Sequence, residues 1–162
     1  MGTTTEHSAK VTLPADDQIL ISREFDAPPH LVWRAMTEPE LVSRWWTAKR
    51  GEMAVCEIDL RVGGRWRYVM TATGGVEVGF HGEYREIVPH ERIVSTEVFE
   101  GFPDAESVNT VTLTDLGDGR TRVETLVQHQ SSEHRDGHIN SGMEAGMQDA
   151  FDLLDEVAQS LK

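Results

Sequence analysis

Apolar and polar residues alternate along most of this chain, and the alternation sorts it into strands. Ile19, Ile21 and Phe25 share one parity and Ser22 and Glu24 the other, which predicts a strand over 19–25. The sharpest alternation lies in 64–73. There Trp66, Tyr68 and Met70 fall on one side and Arg65 and Arg67 on the other. A strand sends successive side chains to opposite faces, so one face carries amphipathic aromatics and the other carries guanidinium groups. Ala54 to Leu60 reads as the preceding strand, joined to this one through Val62-Gly63-Gly64. Val76 to Val88, Arg92 to Phe99, Val108 to Leu116 and Thr121 to Gln130 continue the series, the last two as a hairpin turning at Asp118-Gly119. These seven strands are mostly neighbours in sequence, so the sheet is expected to be antiparallel.

Elsewhere the period changes to that of a helix. Pro28-Pro29 opens a short helix whose apolar face is Leu31, Val32, Ala35 and Met36. Thr37 with Glu40 reads as a capping box for a second short helix carrying Leu41, Val42, Trp45 and Trp46. A long helix is predicted over 139–161, where Met143, Met147, Ala150, Leu154, Val157 and Leu161 recur at three- and four-residue steps. Ser141 with Glu144 reads as a second capping box, and Gly142 and Gly146 remove side-chain volume from the first turns.

Composition narrows the class. The 162 residues suffice for one domain with a true core, here 19–162, after a polar segment 1–18 expected to be flexible. The chain carries 15 basic and 28 acidic residues, a net charge of −13. That balance argues against binding nucleic acid and against docking on anionic membrane. Arg44, Lys49, Arg50, Arg61, Arg65 and Arg67 fall in one stretch and predict a local positive patch. Cys56 is the only cysteine, which excludes an internal disulfide and fits the cytoplasm. It shares parity with Ile58 and Leu60 and reads as a small buried hydrophobe. No secretory leader and no membrane-spanning run is expected.

A set of motifs then points to a family. Arg23-Glu24-Phe25-Asp26-Ala27-Pro28, Val32-Trp33, Pro39-Glu40-Leu41, Trp45-Trp46, Asp59 with Arg61-Val62-Gly63-Gly64, Gly82-Glu83-Tyr84 and Ser141-Gly142-Met143-Glu144 span nearly all of 19–162. The chain resembles the SRPBCC or START-like superfamily. Within it, the motifs are similar to those of the bacterial single-domain relatives of the C-terminal domain of the activator of the heat-shock protein 90 ATPase. The resemblance implies an α+β helix-grip fold, a curved antiparallel sheet of six to seven strands around the C-terminal helix. It also implies a cavity under that helix, in a superfamily of ligand carriers, cyclases and hydrolases.

Candidate walls for such a cavity follow from parity and period. Trp66, Tyr68, Met70, Phe80, Tyr84 and Phe99 would supply the sheet face, Met143, Met147 and Phe151 the roof, and Trp46 the mouth. Asp59, Arg61, Gly63 and Gly64 are expected to be structural, with Asp59 accepting hydrogen bonds from turn amides or a nearby guanidinium. Glu97 shares parity with Ile93 and Phe99, but Val94 and Val98 claim the other parity. Its orientation is open on pattern alone, and burial statistics favour solvent. His129, His134 and His138 lie close in sequence but lack a metal-binding pattern, so no metal and no cofactor is expected.

Three functional classes remain: a binding module for a small hydrophobic or aromatic ligand, which the pattern favours; an enzyme acting on such a ligand in the same cavity; and an interaction domain for a chaperone or another protein. The expected partner is a small apolar molecule, with a homodimer compatible with the sequence.

Overall fold

The alternation produces one continuous sheet. A computed structural model describes residues 8–162. Its strands are β1 (Lys10–Thr12), β2 (Gln18–Phe25), β3 (Gly51–Ile58), β4 (Arg65–Ala72), β5 (Glu77–Val88), β6 (Arg92–Phe99), β7 (Ser107–Gly117) and β8 (Arg120–Gln128). They form an antiparallel sheet in the order β1-β2-β8-β7-β6-β5-β4-β3. Two short helices, α1 (Pro29–Thr37) and α2 (Pro39–Val42), follow β2. The chain ends in α3 (Ser132–Asn140) and α4 (Met143–Ser160). This is the α+β helix-grip arrangement, with one strand beyond the seven that the pattern predicts. The added strand is β1, which pairs Lys10–Thr12 with Leu20–Ser22 inside the segment expected to be flexible. Residues 1–7 of that segment lie outside the described residues.

The helix expected over 139–161 is α4, which begins at Met143, and a helix that the pattern did not predict, α3, precedes it. Ser141 and Gly142 separate them, and Gly142 has φ +83°, a left-handed conformation that glycine adopts without steric cost. Neither expected capping box forms. Thr37 Oγ1 donates to the Trp33 carbonyl at 2.7 Å, and Ser141 Oγ donates to the His138 carbonyl at 2.6 Å. Each hydroxyl is drawn back to the last turn of the preceding helix, because too few residues separate it from the next. The observed side-chain cap is Ser131, which accepts from the His134 amide at 3.1 Å.

The core lies between the sheet, α1 and the second half of α4. Phe25, Val32, Val42 and Leu154 are wholly inaccessible, and Ile93, Leu113, Val123 and Val157 pack with them. Thr121, also wholly buried, donates to the Ala27 carbonyl at 2.7 Å. Arg23, buried on β2, ties the sheet to α4. It donates to the Phe151 carbonyl and to Asp152, and lies 3.8 Å from Asp155. Asp155 in turn accepts from the Asp26 amide at 3.0 Å. A second cluster of Ala9, Ile19, Ile21 and Val127 meets Met143 and Met147, and Phe151 joins it to the first. Gln148 fixes α4 to the N-terminal segment, giving and receiving one hydrogen bond each with the Ala9 backbone.

Candidate functional site

Strand register assembles an aromatic row on the concave face. β4 pairs with β5 so that Tyr68 faces Phe80, and β5 pairs with β6 so that Phe80 faces Phe99. Trp66 and Tyr68 have ring centroids 4.8 Å apart, and Phe80 and Phe99 5.2 Å. Trp46, from the turn after α2, meets Tyr68 edge-on at 5.3 Å and Phe80 at 5.6 Å. Trp66 is anchored by its indole Nε1, which donates to the Thr96 carbonyl across Gly82 at 3.2 Å. A Cβ at Gly82 would collide with that carbonyl and with the indole nitrogen, so glycine is what lets the ring lie down there.

The row includes five of the ten residues expected to line a cavity, with Met70 half-buried on β4 beside it. Phe99 is its outermost member, 42% exposed. Tyr84 sits deeper in the closed part of the core, and its backbone bonds both Gly63 and Gly64. Met143 and Met147 pack on the other side of the groove with Ile19, Ile21 and Val127.

Glu97 lies between the two sides. Ile93, Ser95, Glu97 and Phe99 share the concave face, and Val94, Thr96 and Val98 take the convex one. The inward orientation corrects the expectation of a solvated Glu97. Polar parity gave no guide here, because this strand is apolar on both faces. Protein encloses Glu97, and desolvation pushes its carboxyl above the usual range. The neighbouring Asn109 side chain on β7 partly offsets that rise. Asn109 Oδ1 is buried and has no hydrogen-bond partner. Burial also raises the phenols of Tyr68 and Tyr84 and the thiol of Cys56, so all three stay neutral in ordinary buffers. Cys56 is half-buried, 3.6 Å from the Pro39 carbonyl, and is no thiolate nucleophile. Asn109 escaped the sequence reading, although it interrupts the apolar parity of Val111 and Leu113.

At the rim, Arg50 Nη2 donates to Asp149 at 2.9 Å, linking the turn before β3 to α4. The position that a Cβ would take at Gly146 lies 3.0 Å from this guanidinium, so Gly146 makes room for the link. On the far rim Phe102, 53% exposed, meets His134 edge-on. His129 Nε2 and His138 Nδ1 lie 3.0 Å apart. Burial lowers both rings, His129 to about 4, so near neutral pH one uncharged imidazole donates to the other.

Around the paired glycines, backbone and side chains fit closely. Arg61 Nε donates to Asp59 Oδ2 at 2.8 Å, Gly63 takes φ +83°, and a Cβ at Gly64 would strike the Asp59 carbonyl. Two shallow depressions, of about 400 and 270 Å³, lie at this turn and on the outer faces of β4 to β6. Charged side chains line both, and both are open to solvent, so neither suits an apolar ligand. Three of the six cations of the expected positive patch are neutralised: Arg50, Arg61 and Arg67 pair with Asp149, Asp59 and Glu100.

A sequence model of the family described as activator of Hsp90 ATPase homolog 1-like protein matches residues 26–159. The chain belongs to that family. A search of the curated proteins gives no match. Among solved structures, a protein of Rhodobacter sphaeroides is 25% identical, with a TM-score of 0.87 over 94% of this chain and 99% of that one. Proteins of Nitrosomonas europaea and Mycobacterium smegmatis are each 26% identical, with TM-scores of 0.82 and 0.80. The former match covers 91% of this chain and 97% of that one, the latter 91% and 94%. Among the described residues, no helix of this family member is long and apolar enough to cross a membrane.

Proposed function

We propose that residues 19–162 act as one helix-grip unit that binds a small hydrophobic or aromatic molecule between the concave sheet face and the first half of α4. One observation carries the reading. On this part of the face Tyr68, Phe80, Glu97, Asn109, Val111 and Thr125 are all only partly buried, although they stand on β4 to β8, inside the edge strands. The buried residues of α4 all come from Ala150 onward, whereas Met143, Gly146 and Met147 keep accessible surface. A side chain that protein encloses but that still keeps accessible surface borders an internal space rather than bulk water. Aromatic rings, two methionines and few polar groups make that space suited to an apolar ligand with one polar end.

The test is titration with N-phenyl-1-naphthylamine, an uncharged probe whose fluorescence rises in apolar surroundings. The expected result is saturable binding at one site and a raised melting temperature, since a ligand held only by the folded state stabilises it. Val111→Phe, which fills the space from its floor, is expected to fold and to lose binding. Absence of binding to the wild type, or undiminished binding to a folded Val111→Phe, defeats the reading.

A further inference from the structure

Glu97 has no Lys, Arg or His partner among the described residues, and its one hydrogen-bonding neighbour is the Asn109 amide. Asn109 Oδ1 is itself a buried acceptor without a hydrogen-bond partner. Glu97 and Asn109 stand on adjacent antiparallel strands, on the same face and diagonal to each other, a spacing that long side chains span. Two acceptors therefore stand near each other on one face, one of them a carboxyl group, and among the described residues Asn109 Oδ1 meets no donor and Glu97 no cation. Arg23, the other buried charge facing inward, is engaged by Asp152, Asp155 and the Phe151 carbonyl.

Beside this pair runs the row of Trp66, Tyr68, Trp46 and Phe80. Aromatic faces carry negative charge density and attract cations as well as apolar surface. We propose that Glu97 and Asn109 Oδ1 receive the ammonium group of an apolar amine, whose hydrocarbon body lies along the aromatic row. The inference rests on the cavity reading above and names its ligand class.

The chemistry separates this class from its neighbours. An unpaired buried carboxylate is costly, and an ammonium with several N–H donors relieves that cost while satisfying Asn109 as well. An alcohol has a single donor and no charge. A carboxylate ligand would meet both acceptors with no donor at all. Tyr68, the titratable group that interacts with Glu97, is held neutral by burial and carries no competing positive charge. The net charge of −13 also favours the approach of a cation over that of an anion.

Three probes with one ring system test the proposal by calorimetry at neutral pH: 2-(1-naphthyl)ethylamine, 2-(1-naphthyl)ethanol and 1-naphthylacetate. The amine is expected to bind about tenfold more tightly than the alcohol, and the acetate most weakly. Glu97→Gln is expected to bring amine and alcohol within about twofold of each other, the larger loss falling on the amine. Equal binding of amine and alcohol to the wild type overturns the proposal and leaves the cavity reading standing. So does an amine preference that survives Glu97→Gln. If no naphthyl probe and no N-phenyl-1-naphthylamine binds, the cavity reading falls and takes this inference with it. Should Glu97→Gln fail to fold, the wild-type comparison of amine with alcohol decides alone.

Discussion

Under the second half of α4, Phe25, Thr121, Val123, Leu113 and Leu154 are buried, and Arg23 and Asp155 lock sheet to helix. Under the first half, Tyr68, Phe80, Asn109, Val111 and Met147 keep accessible surface, and Asn109 Oδ1 has no hydrogen-bond partner. Both regions use the same strands and the same helix. One end closes by burying apolar volume against α1, while the other faces a helix that begins with Met143, two exposed residues and Gly146. The contrast teaches that stability and binding can be assigned to opposite ends of one face, so that changes at one end leave the other largely undisturbed.

The sharpest way to break the contrast is to cut volume at both ends. Phe25→Ala should cost about 4 kcal/mol in urea unfolding, as truncation of a fully buried aromatic does. Met147→Ala should cost about 1 kcal/mol or less, since half its environment is not tightly packed. Similar losses at the two positions would show that both ends are solid core. The next largest effect is expected from Asp155→Ala, about 2 kcal/mol. It removes the acceptor of the Asp26 amide and one of the two carboxylates beside buried Arg23, while Asp152 remains.

Two titrations sharpen the comparison. Glu97 has a folded value raised above its unfolded value of 4.5, so its contribution to stability is lost as pH rises past 4.5. Glu97→Gln should therefore raise the urea midpoint near pH 7, and raise it less near pH 4. His129 behaves oppositely. Its folded value of about 4 lies below the unfolded 6.5, so stability is lost as pH falls between those two values. In His129→Gln that part of the pH profile should flatten, as read from midpoints across the same range. The smallest effect belongs to Arg50→Ala. Its exposed pair with Asp149 should contribute under about 1 kcal/mol, while faster probe uptake in stopped flow would mark the link as a barrier to entry.

Much of this was legible before any coordinates, and what was not has physical reasons. Parity placed Trp66, Tyr68 and Phe80 on one face because each strand is long and alternates cleanly. β1 was hidden because Lys10-Val11-Thr12 is too short to show a period. The break at Gly142 followed a rule that a long apolar stripe obscured. A glycine just after a polar helix commonly ends that helix, and α3 has no buried residue to carry a stripe through. The pairing of Glu97 with Asn109 was invisible because it depends on register between two strands, which neither strand encodes alone.

Trp46 carries a consequence of an optical kind. Its indole stands half-buried at the rim, edge-on to Tyr68 and Phe80, whereas Trp33, Trp45 and Trp66 are buried. A molecule entering along the ring row must change the polarity around this indole, reach Trp66 only through its neighbour Tyr68, and leave Trp33 and Trp45 nearly untouched. Its emission would then serve as a built-in gauge of occupancy, readable without any label.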